Sequence, residues 1–252
     1  MGLALLGARY LDAEVRQLTV WDGGTADGAA GTAIDVATWR RRGRPVTIVS
    51  SDPDTHAIAV DDAVATVATP GTGRPGRVVR ALLFGDVRGF STLTDEQTPV
   101  FSERFLGAFA DVLAAHEDDV WHRNTWGDAV YVVLSDVVCA AACALELQTA
   151  VAVIDLPSIG LPGHLALRLG GHLGPVFPIH DPVRDAGAFM GSHVSRTARI
   201  EPVTPPGAVY VTEPFAAALV LAGSDLFTCD YVGHMPLAKD YGRLRMYRLR
   251  YV

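Results

Sequence analysis

The segment VWHRNTWGDAVYVVL, residues 120–134, constrains the fold of this chain more than any other stretch. Two runs rich in β-branched and aromatic residues flank the pair Gly127-Asp128, a pattern that predicts a β-hairpin with a tight turn. The turn places the carboxylate of Asp128 against an apolar strand. Burial of a carboxylate is costly unless a positive group lies against it, so the hairpin raises the question of what Asp128 binds.

The elements around this hairpin follow the order β-α-β-β-α-β. A buried strand in VVRALLF precedes a helix with apolar residues at helical spacing, for which we expect Thr98 as N-cap and Pro99 as the first residue. The remaining core elements are a helix over 136–151, a strand in HLALRLGGHLGPVF, a helix near 189–201 and a strand in GAVYVTE, followed by terminal strands in DYVG and RLRMYRLRYV. This order predicts an α+β fold of the ferredoxin-like βαββαβ type with additions.

A Gly/Pro-rich stretch, ATPGTGRPGR at residues 68–77, is typical of a linker between two regions. Before it, AIDVATWRRRG predicts a helix and PVTIVS a strand, so residues 1–67 form an N-terminal α/β extension. A region of this size is marginal as an independent domain. Residues 78–252 form the main domain.

Composition limits the classes of partner. The net charge of −7 argues against a general nucleic-acid binder, because duplex phosphates require a basic face. The three cysteines offer no even disulfide framework, and Cys139 and Cys143 fall in an Ala-rich helical run as small hydrophobic residues. The N-terminus is a poor signal peptide, and no apolar run reaches about 20 residues. We expect a cytoplasmic protein without nucleic-acid or membrane partners.

Two aspartates are the candidate metal ligands. In the ferredoxin-like order, the end of the first strand and the tip of the central hairpin are neighbours, which places Asp86 of FGDVRGF near Asp128. Their oxygens suit two Mg²⁺ or Mn²⁺ ions, with further positions left to phosphates and water. The turn after Asp86 supplies backbone N–H groups that could surround a triphosphate. That turn consists of Val87, Arg88, Gly89 and Phe90.

Four ordered segments carry a family resemblance: LLFGDVRGFSTLTDE, NTWGDAVYVV, LRLGGHLGPV and MGSHVSRTARIEPVTPPGAVYVTE. They resemble the successive motifs of class III nucleotidyl cyclase catalytic domains, the adenylate/guanylate cyclase family, over residues 78–250. The resemblance implies a head-to-tail homodimer with active sites at the subunit interface. It also implies conversion of a nucleoside triphosphate to a 3′,5′-cyclic monophosphate plus pyrophosphate.

The resemblance also implies roles for individual residues. Asp86 and Asp128 match two metal-binding aspartates, with one metal ion lowering the pKa of the ribose 3′-OH and the other neutralising the leaving pyrophosphate. Arg199 of SRTAR matches the arginine that stabilises charge on the α-phosphate. Lys239 of LAKDYG, the sole lysine of the chain, fits a C-terminal lysine that contacts the phosphates.

Three positions depart from the family pattern. Ser195 replaces the transition-state asparagine, and its hydroxyl donates one hydrogen bond with a shorter reach. Asn124 stands where adenylate cyclases carry lysine and guanylate cyclases carry glutamate. Ala188 stands where adenylate cyclases carry Asp or Thr at the second base-reading position. The other polar residues expected near the pocket are His193, Ser192 and Arg88.

Two interpretations of these departures remain open. Bacterial pyrimidine cyclases of anti-phage signalling belong to the same family, and the amide of Asn124 could pair with a uracil or cytosine edge because it both donates and accepts. This favours UTP, then CTP, as substrate. Alternatively, base reading is atypical or lost, which gives an unusual adenylate or guanylate cyclase or a nucleotide-binding pseudo-cyclase. Retention of Asp86, Asp128, Arg199 and Lys239 argues against loss of activity.

Overall fold

The computed structural model describes residues 13–25, 31–50, 58–60, 76–222 and 224–252. The chain divides into two compact units, Met1–Pro75 and Gly76–Val252. Most of the predicted linker, residues 68–75, lies outside the described residues, so its linker character stays a prediction. Within the described ranges, no helix is both long and apolar enough to cross a membrane.

The first unit is a small α/β structure. Strand β1 (Gln17–Trp21) runs parallel to β2 (Val46–Ser50), and helix α1 (Thr32–Arg41) connects them. A short strand, β3 (Ile58–Val60), pairs antiparallel to β2. Val36 and Trp39 of α1 pack against the sheet in a small core. The predicted helix and the predicted strand in PVTIVS are both present, whereas the sequence did not indicate β1.

The second unit is built on a four-stranded antiparallel core in the order β7-β4-β6-β5. Its strands are β4 (Val78–Arg88), β5 (Val120–Trp126), β6 (Ala129–Leu134) and β7 (Ala166–Asp181). Numbered within the motif, this is the 4-1-3-2 order of a ferredoxin-like fold. The predicted βαββαβ architecture is therefore confirmed.

Two helices connect the core strands. Helix α2 runs through Gln97–Phe101, a π-helical turn at Ser102–Leu106, and Gly107–Ala115. Helix α3 (Val137–Ala152) matches the prediction for 136–151 to within one residue. The polypeptide then crosses back into β7, which completes the motif.

The predicted start of α2 is wrong. The helix begins at Gln97, so Thr98 lies inside it and donates its hydroxyl hydrogen to the carbonyl of Thr94 at 3.0 Å. The side-chain oxygen of Gln97 accepts the backbone N–H of Thr94 at 3.1 Å. This contact between residues three apart resembles part of a capping box. It helps the helix to begin at Gln97, ahead of Pro99.

Further elements extend the core. They are β8 (Ala186–Met190), α4 (Ser192–Thr197), β9 (Val209–Thr212), α5 (Glu213–Leu221), β10 (Phe227–Pro236) and β11 (Arg243–Tyr251). The strands continue the sheet as β10-β11-β9-β7, and β8 pairs with β7. The predicted strand in GAVYVTE and the two terminal strands are present. The helix expected near 189–201 begins at Ser192, because Phe189 and Met190 pair with β7 instead.

The two faces of this sheet differ in their coverage. Helices α2, α3 and α5 bury one face in the main core, where Phe101, Phe105 and Phe109 pack against the sheet. Alternate residues of β4, including Leu82 and Phe84, point to the opposite face, against which α4 packs. This second face, which we call the α4 face, carries the residues discussed below.

Asp136 is the N-cap of α3, and its Oδ1 accepts the backbone N–H groups of Val138 at 2.7 Å and Cys139 at 3.0 Å. We expect Asp136→Ala to lower the free energy of unfolding by ~1 kcal/mol, because both donors lose their acceptor. Asp136→Asn retains an oxygen and should lose less. Urea unfolding followed by circular dichroism measures the difference, with Asp111→Ala on the exposed side of α2 as control. Equal stability of Asp136→Ala and wild type would contradict the capping role.

Candidate active site

The end of β4 and the tip of the β5–β6 hairpin meet at Asp86 and Asp128. Trp126 pairs with Ala129 across the hairpin, so the turn contains two residues, and Gly127 adopts a left-handed φ of 64° in it. This tight turn directs Asp128 toward β4. There its side chain lies close to that of Asp86 and to the backbone N–H of Val87.

The electrostatics of this pair favour a bound cation. Burial is the main cause that raises the pKa of Asp128 to about 6, and the hydrogen bond and negative charge of Asp86 add to it. Two carboxylates held this close to each other favour the binding of a proton. A divalent cation can replace that proton, and carboxylate oxygens are the ligands that Mg²⁺ and Mn²⁺ prefer. The donor set therefore fits the metal ions that the sequence predicts.

Two residues that sequence reasoning missed complete this group. Arg168 of β7 is the register partner of Asp86, and its Nη2 lies 2.6 Å from Oδ2 of Asp86 and 2.7 Å from Oε1 of Glu201. Glu201 is 5% exposed. Burial, followed by the charge of Asp86, raises the pKa of Glu201 to about 7, while Arg168 opposes this rise. We call these four residues the carboxylate cluster: Asp86, Asp128, Arg168 and Glu201.

A sequence signal for the two missed residues does exist. Arg168 is a lone charge in the apolar run LALRLGG, and Glu201 is the one acidic residue in ARIEPV. Buried charges are normally paired, so each requires a partner. The identity of that partner depends on the register between β4 and β7, which residue patterns alone do not give.

The turn after Asp86 contributes mainly backbone to the site. The side chain of Val87 is 1% exposed and belongs to the main core. Phe90 likewise packs inward, with its ring centroid 4.8 Å from that of Phe101. Arg88 is exposed, and Gly89 has a φ of 91°, which favours glycine. Of the four residues predicted to surround a triphosphate, Val87 and Phe90 can therefore offer their backbone N–H groups but not their side chains.

Ser195, Arg199 and Lys239 form a second group, on and beside α4. Ser195 is exposed on α4, and Arg199 follows the end of that helix by two residues. The backbone N–H of Ala238 donates to the carbonyl of Arg199 at 3.4 Å, which holds the loop of Lys239 against this region. Lys239 is exposed and has a left-handed φ of 58°, unusual for a residue with a side chain.

The guanidinium of Arg199 has no hydrogen bond or ion pair with any side chain that the structure describes, and its Nε is buried. A buried donor without an acceptor is costly, so the group suits an anion that comes from outside the chain, such as a phosphate. No hydrogen bond or ion pair between described residues links Arg199 or Lys239 to Asp86 or Asp128. One chain thus presents two separate groups of candidate catalytic residues.

The two predicted base-reading positions lie on adjoining strands. The ring of His122 of β5 lies near the backbone of Gly187, and its centroid is 6.3 Å from that of Phe189. Asn124 is two residues from His122 and half-buried, and Ala188 lies between these two β8 residues. Burial lowers the pKa of His122, so this histidine is neutral at pH 7.

The remaining predicted polar residues divide into two kinds. Ser192 and Arg88 are exposed. His193, expected near the substrate pocket, is instead 1% exposed and lies 2.7 Å from the ring nitrogen of His172. Its side chain is directed into the sheet, because α4 packs that position against β7. His193 is therefore not available to contact a base.

A second group of possible metal ligands has a structural explanation. Ligand atoms of Asp119, Asp136 and Cys139 lie within 4.8 Å of one another. Asp136 already caps α3, and Oδ1 of Asp119 accepts the hydroxyl hydrogen of Ser135 at 2.8 Å. Local hydrogen bonds account for this arrangement, which shares no residue with the carboxylate cluster.

We expect Asp128→Asn to stabilise the metal-free protein at neutral pH. The pKa of Asp128 is about 6 in the folded protein against an ordinary value of 3.8, so the folded state binds more protons between these values. Stability therefore falls as pH rises through that window, and the asparagine variant should lack this fall.

Thermal unfolding with a chelator, from about pH 4 to about pH 8, measures this difference. Asp95→Asn, at an exposed position near the start of α2, is the control. Identical pH profiles for wild type and Asp128→Asn would contradict a raised pKa of Asp128 in the folded protein.

Solved structures share this fold. The adenylyl cyclase CyaB from P. aeruginosa superposes with a TM-score of 0.59 at 17% identity, covering 69% of this chain and 94% of that chain. The guanylate cyclase domain of RhGC from Catenaria anguillulae, in complex with GTP, gives a TM-score of 0.58 at 15% identity, covering 69% of this chain and 96% of that chain. At these identities the likeness concerns the fold alone.

Sequence comparison supplies the family. The chain is 30% identical over 201 residues to the pH-sensitive adenylate cyclase MT1302 of Mycobacterium tuberculosis, which covers 77% of this chain and 46% of that relative. The chain spans less than half the length of the curated relatives it matches. The family model of the adenylate and guanylate cyclase catalytic domain matches residues 78–250, more than half of the chain. The chain therefore belongs to the family of adenylate and guanylate cyclase catalytic domains.

Proposed function

We propose that this protein is a nucleotidyl cyclase, which converts a nucleoside triphosphate to a 3′,5′-cyclic monophosphate and pyrophosphate. The observation that carries the proposal is the carboxylate cluster, in which Asp128 stands beside Asp86 with its pKa raised to about 6, within a cyclase-family domain. In the reaction, a bond forms between the ribose 3′ oxygen and the α-phosphorus. The bond from that phosphorus to the bridging oxygen breaks, pyrophosphate leaves, and the hydroxyl proton passes to water.

Asp86 and Asp128 would hold two divalent ions, Mg²⁺ or Mn²⁺. When bound, these ions supply positive charge that lowers the pKa of the 3′-hydroxyl and neutralises the leaving pyrophosphate. The protein prepares the site in two ways: Arg168 fixes one oxygen of Asp86, and the tight turn at Gly127 directs Asp128 toward it. Both contacts reduce the freedom of the ligands before the substrate arrives.

The second group of residues would bind the phosphates. The guanidinium of Arg199, which has no partner among the described residues, would donate to the α-phosphate and stabilise the charge that develops there. The hydroxyl of Ser195 would donate one hydrogen bond to the same region. Lys239, exposed on the adjacent loop, would supply a positive charge to the terminal phosphates.

We infer that the active enzyme is a head-to-tail homodimer with its sites at the interface. A second copy would bring its Arg199 and Lys239 to the metal ligands of the first, which one chain does not do by any contact between described residues. The surface beside the carboxylate cluster supports this inference. Trp126 is 56% exposed and stacks on Phe84 at 6.1 Å, and an exposed aromatic side chain is typical of an interface.

We propose a pyrimidine triphosphate as substrate, UTP before CTP. The side-chain amide of Asn124 both donates and accepts, as pairing with a uracil or cytosine edge requires. Ala188 offers no polar group, so neither purine-reading pair of the family is present. The neutral ring of His122 next to these positions adds no charge that would select guanine or adenine. A role in anti-phage signalling would follow from a cyclic pyrimidine product.

A product assay tests both the cyclase activity and the choice of a pyrimidine substrate. Purified protein is incubated separately with ATP, GTP, CTP and UTP plus Mn²⁺, and products are identified by mass. We expect cyclic UMP in the largest amount, and no product from the control Asp86→Asn. Cyclic AMP or cyclic GMP as the main product would contradict the pyrimidine assignment but retain the cyclase. No product from any of the four would refute the cyclase and favour a pseudo-cyclase.

Mixing of inactive variants tests the shared site. Asp128→Asn should abolish product formation and Arg199→Ala should reduce it to a small residual rate, while circular dichroism shows an intact fold for both. After equal mixing and subunit exchange, half of the dimers carry one variant chain of each kind, and each of these has one intact site. Activity should therefore recover to about a quarter of wild type.

The matched control combines Asp128→Asn with Asp86→Asn, both of which damage the same half of every site. This mixture should recover no activity. Equal recovery in both mixtures, or none in either, would be inconsistent with sites formed between two chains.

A further inference from the structure

Two histidines that the proposed reaction does not use are buried together beneath α4. His172 of β7 and His193 of α4 are each 1% exposed. Nε2 of His172 lies 2.7 Å from Nδ1 of His193, and the two rings are inclined by 9°. On its other side, Nδ1 of His172 lies 2.7 Å from the hydroxyl oxygen of Thr212. This hydrogen-bonded chain, which we call the histidine chain, joins β9, β7 and α4.

The direction of every hydrogen bond in the histidine chain follows from Arg196. Its Nη1 lies 3.3 Å from Nδ1 of His193, and a guanidinium can only donate, so that nitrogen carries no proton. His172 must then donate from Nε2 and accept the hydroxyl hydrogen of Thr212 at Nδ1. Both imidazoles are neutral. Burial is the main cause that holds the pKa of His172 well below its ordinary value, and the positive charge of Arg196 acts in the same direction.

The histidine chain adds a polar contact to the packing of Val194 on the sheet and to the hydrogen bond from Tyr241 to the carbonyl of Ser192, which also hold α4. The helix has six residues and lacks a side-chain cap at its N-terminus, and a helix this short is not stable by itself.

The sheet is shaped to receive His193: a Cβ at Gly174 of β7 would overlap its ring. Ser195 follows His193 by two residues and Arg199 by six. The contact of His193 with the sheet therefore contributes to the placement of both side chains.

We propose that His193 is a positioning residue of the cyclase reaction, which fixes α4 on the sheet and thereby orients Arg199 and Ser195 toward the phosphates. This inference rests on the proposed function for its catalytic consequence. His193 does not touch the substrate. It acts through the helix, and a displacement of about 1 Å at a phosphate-binding group can reduce a rate by about 10²-fold.

Two substitutions separate hydrogen bonding from packing. His193→Leu fills the space but offers no acceptor to His172, whereas the side-chain oxygen of His193→Asn can replace Nδ1. We expect His193→Leu to lower kcat about 10²-fold and His193→Asn to restore most of it. The Mn²⁺ concentration for half-maximal activity should not change, because Asp86 and Asp128 lie outside α4. His180→Leu, an exposed histidine of β7, is the control.

A double-mutant cycle tests the route through Arg199. If His193 acts by orienting Arg199, its substitution should cost little once Arg199→Ala is present, so the combined loss should be well below the product of the single losses. A general loss of stability would instead multiply the two effects. Multiplicative losses would overturn the positioning role.

Hydrogen exchange provides a readout that does not require activity. Backbone amides of residues 192–199 should exchange faster in His193→Leu than in wild type and return toward wild type in His193→Asn. Gly174→Ala, which displaces the ring, should give the same signature if His193→Leu fails to fold. Unchanged exchange in this segment would overturn the positioning role alone. Absence of product from the wild type would overturn the proposed function, and the exchange data would still decide whether His193 anchors α4.

Discussion

The main electrostatic constraint in the second unit is the excess negative charge of the carboxylate cluster. Asp86 and Glu201 both contact Arg168, Asp128 lies beside Asp86, and one guanidinium cannot neutralise three carboxylates. Burial above all, and then the neighbouring carboxylates, raises the pKa of Asp128 to about 6 and that of Glu201 to about 7. A divalent cation would neutralise this excess charge. A cluster of this kind is difficult to explain as a stabilising feature, because an apolar group in place of Asp128 would avoid the cost.

The fold positions the candidate metal ligands and the candidate phosphate-binding residues in different ways. The proposed metal ligands stand near the end of β4 and in a two-residue hairpin turn, both fixed by backbone pairing in the sheet. The phosphate-binding candidates stand on a short helix, whose position depends on the side chains of the histidine chain. Rigid placement of both groups is what an enzyme needs when catalysis relies on positioning and charge. Pairing of the two groups across a dimer is the arrangement that the proposed function requires.

Local patterns in the sequence predict much of this fold, and the failures have physical reasons. The hairpin and the βαββαβ order follow from residue periodicity and turn chemistry, and the proximity of Asp86 to Asp128 follows from that order. The partner of Asp86 does not, because the register that places Arg168 opposite it is set by the whole sheet. His193 illustrates the same limit: a polar residue near a motif looks exposed in sequence, but the packing of α4 buries it. The start of α2 was misplaced because the contact between Gln97 and Thr94 outweighs the Thr-Pro pair.

Calorimetric binding of Mn²⁺ to the nucleotide-free protein tests the central claim, that the carboxylate cluster is a metal site, most directly. Titrations in buffers of different ionisation enthalpy count the protons released when the ion binds. If the carboxylate cluster is a metal site, binding should strengthen from about pH 6 to about pH 8, protons should be released at the lower pH, and Asp86→Asn should lose binding. Equal Mn²⁺ affinity in wild type and Asp86→Asn, or binding without proton release at the lower pH, would contradict it.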